Sequence, residues 1–600
     1  MRKANKKLMV GIGIVGTIAL LGLLAMNVNA QPSGFVFIDE NDNGQFDAGE
    51  WNSTSIQDAV DAASPGDTIY VWDGHYYEDV IVNKTVTIIG NTTIDAMSYS
   101  YGKNTSLEYD EFGFWVEADN VNISGFYMWC MGYDRSGIHL NGTQYCNISG
   151  NMISGDPSDG ICIENSSHNM IYNNIISQNG IGITVVNSTW NEIYKNDVSD
   201  NENAGIYIAG NWSWLFSWNT ISNNNISYNY IGVELYGTDN ETITGNSFFY
   251  NSENGIYLEN CENITIENND FFNNTGNSDI YCEASNNTVI SGNTFFGNGV
   301  PSYAIDMEGC ISGLIYGNEM RKYGTEAIFT EDTIATISHN YMADSMWGIE
   351  PYDSTLVIFG NTIENGSEDG IDVYDGANLT IYDNIIANFG NGIYCDNDDP
   401  DTLFVAYDNT ITDCENGILV EYCNKPNEIY NNTLTENGYG AYLEYSSNNV
   451  LSGNTITNNS CGIYLLHSSY NNITDNYIAE NYGDTGIYID EDSNHTTILY
   501  NTITRNDVGI YVYGGNMSVG YENVDTQIHY NDIYGNWMYG LIYDINEEVG
   551  TPWINATYNW WGSANGPDSS GGSQQDPITL NYAEGEGDRL YGNHSYDNIH

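Results

Sequence analysis

Residues 454–465 read Asn-Thr-Ile-Thr-Asn-Asn-Ser-Cys-Gly-Ile-Tyr-Leu, and variants of this stretch recur along most of the chain. Each copy joins Asn-x-apolar-x-x-Asn to a small residue followed by Ile. Successive copies stand about 21 to 25 residues apart, with longer steps after Gly205 and Gly509. A period of this size indicates one structural unit stacked on copies of itself. The small–Ile pairs begin at Gly137, Gly160, Gly182, Gly205, Gly255, Gly348, Gly370, Gly392, Gly417, Gly462, Gly486 and Gly509.

The repeat is too short for two helices and a turn. Within it, apolar residues alternate with other residues over a few positions, as in Ile487-Tyr488-Ile489, and Gly, Asn, Ser and Asp bound these runs. This pattern is typical of short strands separated by turns. Three such strands in each repeat predict an all-β fold, a parallel β-helix of about 20 coils over residues 53–585.

Pairs of Asn residues mark a turn in nearly every coil. The second Asn follows the first by five residues, as at Asn454 and Asn459 or Asn476 and Asn481. Asn tolerates the left-handed backbone conformation and bonds locally at turns. Stacked amides can also bond one another as a ladder. We therefore expect these residues to serve the fold.

The charge of the chain is strongly acidic. Only 13 Lys and Arg stand against 80 Asp and Glu, for a formal charge of −67. Such a surface repels nucleic acid and anionic headgroups. It attracts divalent cations or basic partners, although a solubilising acidic coat would have the same composition.

The two ends of the chain predict export and a tail. A basic start, the apolar run Leu8 to Met26 and Val28-Asn29-Ala30 predict a signal peptide over residues 1–30. The run is long for a signal core, so an uncleaved membrane anchor is the alternative. Residues 586–600 are expected to form a C-terminal tail. The protein is expected to be extracellular or on the cell surface.

Two further counts agree with export. Ten Cys permit disulfides, and Cys395, Cys414 and Cys423 are close enough in sequence to form a bridge. Asn-x-Ser/Thr sequons are dense, although a repeat rich in Asn and Thr creates some by chance. The predicted glycosylation sites are Asn52, Asn83, Asn122, Asn187, Asn263, Asn378, Asn472 and Asn555.

Residues 31–52 contain a candidate calcium loop. The stretch 39–50 satisfies D-x-[DN]-x-[DN]-G-x5-E, with Gly44 at the sharp turn. Such a loop gathers hard oxygen ligands around one ion. The flanks differ from an EF-hand, because Gly34 to Ile38 reads as a strand and no helix start follows. A plain acidic turn is the alternative. The expected calcium ligands are Asp39, Asn41, Asn43, Gln45, Asp47 and Glu50.

A short amphipathic helix over Ser55 to Ala63 comes next, with capping-box spacing between Thr54 and Gln57. We expect it to cover the open end of the first coil. The helix, the stretch 64–90 and the phrase at 558–567 together resemble the right-handed parallel β-helix, or pectin lyase-like, superfamily. This resemblance covers about residues 52–585 and implies a right-handed coil.

The resemblance is weak for function, since the superfamily includes polysaccharide lyases and hydrolases, adhesins and a periplasmic copper-site maturation factor. A lyase-like reaction needs calcium carboxylates beside an Arg or Lys base. Arg321 and Lys322 are weak candidates for that base. No His or Met grouping has the spacing of a copper site.

One outward face combines aromatic residues with acids. If each repeat Ile points inward, the next residue and the one two further on point outward. These positions form what we call the tyrosine–acid stripe. Cross-strand aromatic pairing that stabilises the sheet is the alternative to a binding role. The members of the tyrosine–acid stripe are Tyr257, Glu259, Tyr281, Glu283, Glu350, Tyr352, Asp372, Tyr374, Tyr394, Asp396, Tyr442, Glu444, Tyr488, Asp490, Tyr511 and Tyr513.

The sequence therefore favours an exported acidic glycoprotein that acts as a binding or structural rod. We expect it to bind polysaccharides or neighbouring surface proteins, with calcium as a cofactor. We also expect copies of the protein to associate laterally with one another. A polysaccharide lyase or hydrolase is the first alternative, and a periplasmic copper-maturation protein is the second. We expect no nucleic acid partner, and membrane contact only through an uncleaved N-terminal segment.

Overall fold

The chain winds into a right-handed parallel β-solenoid of about 17 turns, with one short helix. The predicted fold class is confirmed. The coil count is slightly lower than the predicted 20. The structure is a computed structural model that describes residues 34–91, 105–109, 112–130, 136–155, 157–210, 217–299, 303–373, 376–396, 403–423, 425–513, 525–544, 554–563, 567–568, 587–592 and 594–595.

The strands stack into three long sheets, one strand from each turn, and most pairings are parallel. The first strand of the first sheet is antiparallel to its neighbours, because Val36–Asp39 pairs antiparallel with Asn52–Ser53 and with Thr68–Val71. Its strands are Val36–Asp39, Asn52–Ser53, Thr68–Val71, Thr87–Gly90, Asn122–Ser124, Asn147–Ser149, Met170–Tyr172, Glu192–Tyr194, Thr220–Ser222, Thr242–Thr244, Thr265–Glu267, Val289–Ser291, Ile311–Tyr316, Ile334–Ser338, Thr355–Phe359, Asn378–Tyr382, Leu403–Tyr407, Glu428–Tyr430, Val450–Ser452, Asn472–Thr474, Thr497–Leu499, Gln527–His529, Ile554–Asn555 and His594–Ser595.

The second sheet consists mostly of three-residue strands. They are Gly74–Tyr77, Thr105–Tyr109, Tyr127–Cys130, Met152–Ser154, Ile175–Ser177, Asp197–Ser199, Asn225–Ser227, Ser247–Phe249, Asp270–Phe272, Thr294–Phe296, Glu319–Arg321, Tyr341–Ala343, Thr362–Glu364, Ile385–Ala387, Thr410–Thr412, Thr433–Thr435, Thr455–Thr457, Tyr477–Ala479, Thr502–Thr504 and Asp532–Tyr534.

The third sheet has the longest strands and carries the small–Ile pairs. Its strands are Val80–Val82, Phe114–Val116, Ile138–Asn141, Asp159–Glu164, Ile181–Val186, Ala204–Ala209, Ile231–Tyr236, Ile256–Glu259, Ser278–Glu283, Tyr303–Glu308, Glu326–Glu331, Trp347–Tyr352, Asp369–Val373, Asn391–Asp396, Asn416–Glu421, Tyr439–Glu444, Cys461–Leu466, Thr485–Ile489, Val508–Tyr513, Tyr539–Asp544, Pro567–Asp568 and Gly587–Gly592.

The repeat Ile residues form the core, as the alternation predicts. Ile463, Ile487 and Ile510 follow one another in register on successive strands, and each is fully buried. The buried apolar residues of all turns join one cluster that runs from Val36 to Leu590. One turn alone could not bury this apolar edge, so the turns depend on their neighbours.

The Asn pairs form hydrogen-bonded ladders inside the turns, which confirms their structural role. Asn432, for example, donates through its backbone N–H and its Nδ2 to Oδ1 of Asn454, at 2.9 and 3.1 Å. The left-handed residue is the one before the ladder Asn, such as Asn431 or Tyr500. The expected reason for Asn was therefore incomplete. Its amide is needed for bonds between turns, and its neighbour makes the left-handed bend.

The helix is confirmed over Ile56–Ala62, but its expected cap was wrong. The N-cap is Ser55, whose hydroxyl accepts from the N–H of Asp58. Glu78 from the first turn completes the cap, because its carboxylate accepts from Ser55 Oγ and from the N–H groups of Ile56 and Gln57. The helix end is thus fixed to the solenoid by a negative charge at its N-terminus.

The C-terminal part of the chain adds to the solenoid. Gly587–Gly592 pairs parallel with Tyr539–Asp544, so the third sheet continues past residue 585, where the sequence predicted a tail. The predicted signal peptide and the apolar run lie outside the described residues. Within the described residues, no helix is long and apolar enough to cross a membrane.

The three clustered cysteines separate into a pair and a single residue. The Sγ atoms of Cys395 and Cys423 lie 2.8 Å apart, whereas the thiol of Cys414 donates to the carbonyl of Thr412. All three are buried free thiols in this structure.

Candidate functional site

The tyrosine–acid stripe lies on the outer face of the third sheet, and the parallel register aligns its members. Tyr257 pairs with Tyr281, and Glu259 pairs with Glu283 on the same two strands. Further along, Tyr464, Tyr488 and Tyr511 follow in one column. Tyr374 lies outside the described residues. The described members of the stripe, from Tyr257 to Tyr513, therefore lie along one face of the third sheet.

Tyrosine hydroxyls on this face donate to carboxylates, usually on the next turn. Tyr394 Oη lies 2.7 Å from Glu421 Oε2, and Tyr464 Oη lies 2.7 Å from Asp490 Oδ2. Such bonds to charged acceptors tie successive turns together. The recurrence of Tyr beside acids thus has a folding reason, which the sequence pattern alone did not show. Similar bonds join Tyr257 to Glu259 and Glu283, Tyr281 to Glu308, Tyr442 to Glu444 and Tyr511 to Asp544.

The rings of the stripe are tilted against one another in its C-terminal half. The interplanar angle is 52° between Tyr442 and Tyr464, 59° between Tyr464 and Tyr488, and 70° between Tyr488 and Tyr511. Tilted rings do not cover each other's faces completely. This part of the stripe therefore presents π-faces as well as carboxylates.

Aromatic ladders elsewhere have a different geometry. Tyr500, Tyr530 and Tyr558 stack at turns with interplanar angles of 12° and 10°. Rings that lie parallel in this way cover one another's faces and leave mainly their edges to solvent. These ladder rings are about half exposed and present mainly their edges, whereas the tilted rings of the stripe are half-buried and present part of their faces.

The middle of the third sheet holds buried acids that sequence reasoning partly missed. Glu326 and Asp369 occupy the position two residues before the repeat Ile, where a strict period of two would place them on the same side of the strand as that Ile. Asp306, Glu326 and Asp372 are only 5%, 7% and 7% exposed, and each has one buried carboxylate oxygen without a hydrogen-bond partner. The alternation does not predict this third column, because Glu326 departs from it and its carboxyl group reaches Glu350 on the outer face.

Burial and neighbouring acids raise the pKa of three carboxyl groups on this face, those of Asp306, Asp372 and Glu350. Burial, followed by Glu308 and Glu331, raises the pKa of Asp306 to about 7. Burial, followed by Asp369 and Asp396, raises the pKa of Asp372 to about 8. The pKa of Glu350 is also raised, first by burial and then by its bond to Glu326. The folded protein therefore keeps protons here that the unfolded chain would release.

We expect the stability of the protein to fall between about pH 4 and pH 8. A carboxyl pKa raised on folding stabilises the fold most below its unfolded value, near 4, and this stability is lost as the pH rises toward the folded value. The double variant Asp306→Asn and Asp372→Asn should raise the thermal midpoint at pH 9 by about 3 °C or more, with little change near pH 4. Thermal unfolding at both pH values, followed by circular dichroism, measures this.

The matched control is Glu428→Gln, an exposed acid on the first sheet. It should leave the pH dependence unchanged. A double variant that behaves like this control would show that the buried acids do not govern the pH dependence.

A cavity of about 530 Å³ opens at this part of the third sheet. The acids Asp306 and Glu308 line it, together with the aromatic rings of Tyr257, Tyr281, Tyr303 and Phe329. The cavity thus combines ring surfaces with carboxylates within one pocket.

Arg321 and Lys322, the weak candidates for a catalytic base, lie away from this face. Arg321 ends a strand of the second sheet, where it bonds Glu319 at 2.7 Å and stacks on Tyr341 at 4.4 Å. Lys322 lies over the ring of Phe296. The structure therefore does not place either cation beside the acids of the stripe.

The candidate calcium loop curls around its own carboxylates. Asp39 is buried and accepts from the N–H groups of Asn41, Asn43 and Gly44, while Asp47 accepts from the side-chain amides of Asn41 and Asn43. Glu50 accepts from the N–H of Asp47 at 2.8 Å. The two flanks pair as antiparallel strands, as expected for a loop that is not an EF-hand.

The predicted glycosylation sites differ in exposure. Asn52, Asn83, Asn263 and Asn378 are exposed, whereas Asn122, Asn187, Asn472 and Asn555 are half-buried. The side chain of Asn122 is also bonded to Thr87 Oγ1 at 3.0 Å. The exposed group is the more accessible to a transferase.

Comparison with known families identifies the chain. A family model described as periplasmic copper-binding protein (NosD) matches residues 60–255 and 404–566, which together exceed half of the chain. The chain belongs to the NosD family. A second model, described as right handed beta helix region, matches residues 210–309 and 278–404 of this NosD-family chain.

One curated relative is a cell surface glycoprotein of Methanothermus fervidus, 31% identical over 102 residues. The match covers 17% of this chain and 15% of that protein, far less than two thirds of its length. Together with the NosD match, it indicates an exported or surface protein.

Solved structures share the coiled architecture at low identity. A DFA-IIIase from Arthrobacter chlorophenolicus A6 is 12% identical, with a TM-score of 0.36 over 47% of this chain and 86% of that chain. A PL6 family alginate lyase is 13% identical, with a TM-score of 0.36 over 84% of this chain and 95% of that chain. At these TM-scores the likenesses carry no argument about function.

The described residues do not fit a copper site. Copper favours thiolate, thioether and imidazole ligands. The nine described cysteines are buried, and burial raises the thiol pKa of Cys162 to about 12 and that of Cys414 to about 11. Among the residues with described positions, no group of three or more His, Cys, Asp and Glu could hold a metal ion. The close thiols of Cys395 and Cys423 are buried, and no third His, Cys, Asp or Glu ligand joins them among these residues.

Proposed function

We propose that the protein is an exported surface rod that binds glycans through the tyrosine–acid stripe. The observation that carries this proposal is the recurrence of rings and carboxylates in register on the outer face of one sheet, with tilted rings on the successive turns from Tyr442 to Tyr511. Sugar rings pack on aromatic faces, and carboxylates accept hydrogen bonds from sugar hydroxyls. A long and repetitive surface suits a long and repetitive ligand.

The weak relative and the fold support this proposal. The relative's printed name, cell surface glycoprotein, agrees with a role outside the cell. A stack of turns with a single shared core is stiff along its axis, because each turn contacts both neighbours. Such a rod can hold a binding face at a fixed distance from the cell.

We expect the double variant Tyr442→Ala and Tyr488→Ala to weaken glycan binding about tenfold or more. Both rings belong to the tilted part of the stripe, and stacking contacts of this kind contribute on the order of 1 kcal/mol each. The measurement is binding of the full chain to a glycan array, followed by titration of the best ligand.

The control is Tyr500→Ala with Tyr530→Ala, which removes two rings of an exposed parallel ladder. It should leave binding unchanged. Equal losses in both variants would contradict a specific role for the stripe. Release of unsaturated uronates or new reducing ends by the same sample would instead favour the lyase or hydrolase alternative.

We also propose that the loop at residues 39–50 binds one calcium ion and stabilises the N-terminal end. The ligand spacing of the loop and the buried carboxylate of Asp39 support this, and calcium would draw Asp39, Asp47 and Glu50 together, since these acids do not converge on one point in this structure. A chelator should increase proteolysis near this loop, and added calcium should reverse the effect. Asp39→Asn should abolish the response to calcium, whereas Asp61→Asn in the exposed face of the helix should keep it. A loop that resists protease equally with and without chelator would contradict the proposal.

A further inference from the structure

The pairing of tyrosines with acids breaks down in the middle of the stripe. Over four consecutive strands, from Tyr303–Glu308 to Asp369–Val373, the column that tyrosines occupy elsewhere holds Phe329 once and an acid three times. Asp306 follows Tyr281 in register, and Glu350 follows Phe329. Asp372 then precedes Tyr394. We call this region, with Glu326, the central acidic cleft.

Three acids of the central acidic cleft each have one carboxylate oxygen that meets no donor in the described part of the chain. Asp306 Oδ1, Glu326 Oε2 and Asp372 Oδ1 are buried and have no hydrogen-bond partner among the described residues. Arg321 and Arg505 form their ion pairs with Glu319 and Glu480, on other parts of the solenoid. Burial of a carboxylate without a hydrogen-bond partner is strongly unfavourable. A ligand that donates to these oxygens would therefore lower the free energy of the folded protein.

The surroundings of these acids indicate the chemistry of that donor. Asp306 lines the cavity of about 530 Å³, whose walls include Tyr281, Tyr303 and Phe329. Aromatic faces beside a carboxylate favour an organic ammonium group, which gains both the cation–π attraction and the ion pair. A sugar that carries an amine would also pack its ring on the aromatic wall.

Two other ligand classes fit less well. A bound metal ion requires several acids around one point, and the described residues contain no such group. Here the acids are instead spread over successive strands, about 4.8 Å apart. A polyuronate would be repelled, because the chain carries a formal charge of −67 and no described Lys or Arg forms an ion pair with the cleft acids.

We propose that the central acidic cleft binds amine-bearing glycans, with sugar ammonium groups donating to Asp306, Glu326 and Asp372. This inference rests on the proposed glycan-binding role of the stripe and names the class of glycan. The spread of acids along the solenoid matches a polymer that carries one ammonium group per sugar.

The test compares two probes of the same shape on the full chain. A tetramer of β-1,4-linked glucosamine and its fully N-acetylated counterpart are titrated by calorimetry at about pH 7, where a fraction of the free amines is protonated and a fraction of the cleft acids is ionised. The glucosamine tetramer should bind about tenfold or more tightly than the acetylated one, and added salt should weaken it. Asp306→Asn and Asp372→Asn should each weaken the glucosamine tetramer about tenfold.

These variants keep the side-chain shape and remove charge repulsion, so their folding is expected to persist. The control Glu428→Gln should leave both affinities unchanged. Equal affinities for the two tetramers, or unchanged affinity in Asp306→Asn, would overturn the inference. If the acetylated tetramer binds and depends on Tyr442 and Tyr488, the inference fails while the proposed function stands. If no glycan of any class binds, both fail.

Discussion

Gly440→Ala is expected to cost more than about 4 kcal/mol of folding free energy. A Cβ at this position would lie 2.5 Å from the carbonyl oxygen of Gly462 on the next turn and 2.6 Å from Cγ2 of Ile456. The first contact is with backbone that the sheet register fixes, so the turns would have to separate. Equilibrium unfolding in denaturant, followed by circular dichroism, measures the loss.

Gly317→Ala is the matched comparison. Gly317 has a φ of +66°, but nothing lies within 4 Å of its added Cβ. Its cost should be about 1 to 2 kcal/mol, from backbone strain alone. Similar losses in the two variants would show that close approach of the turns is not what the repeat glycine provides.

Asn409→Ala is expected to destabilise the protein by about 3 to 5 kcal/mol. Oδ1 of Asn409 accepts from the N–H and the Nδ2 of Asn384, at 3.1 and 3.0 Å. Its Nδ2 donates to the carbonyl of Ile381 at 2.9 Å and to Asn432 Oδ1 at 3.0 Å. Truncation leaves buried donors and acceptors unpaired on both neighbouring turns.

Thr410→Ala, one residue later and exposed on its strand, should cost less than about 1 kcal/mol. The same denaturant titration compares the two variants. A loss at Asn409 no larger than the loss at Thr410 would contradict the view that the amide ladder holds the turns in register.

The sequence predicted the solenoid because its folding rules act within one repeat. Ile463 and its equivalents fill the core, and the Asn columns bond between turns, both at a fixed spacing that the chain displays directly. The predictions of the coil count and of the helix cap were less accurate. The cap was missed because Glu78, which completes it, reaches Ser55 from a different turn. Contacts between turns depend on how the turns stack, and they produce no recognisable pattern within one repeat of the sequence.

The candidate site was predicted in outline only. The outward positions of Tyr488 and Asp490 follow from strand alternation, but the hydroxyl bond of Tyr464 to Asp490 joins two turns. The loss of this pairing at Asp306 and Glu350 becomes visible only when the strands are placed in register. The buried and unpartnered oxygens follow from packing, which sequence alone does not give.

Carboxyl labelling tests the central claim, that the stripe is the binding surface, most directly. The full chain is treated with a carbodiimide and an amine nucleophile, with and without the best-binding glycan of the array, and modified acids are mapped by mass spectrometry. The account predicts protection of stripe acids such as Glu308 and Glu444, and none of Glu428 or Glu267 on the first sheet. Protection confined to the first sheet, or equal labelling at all sites while the glycan is bound, would contradict it.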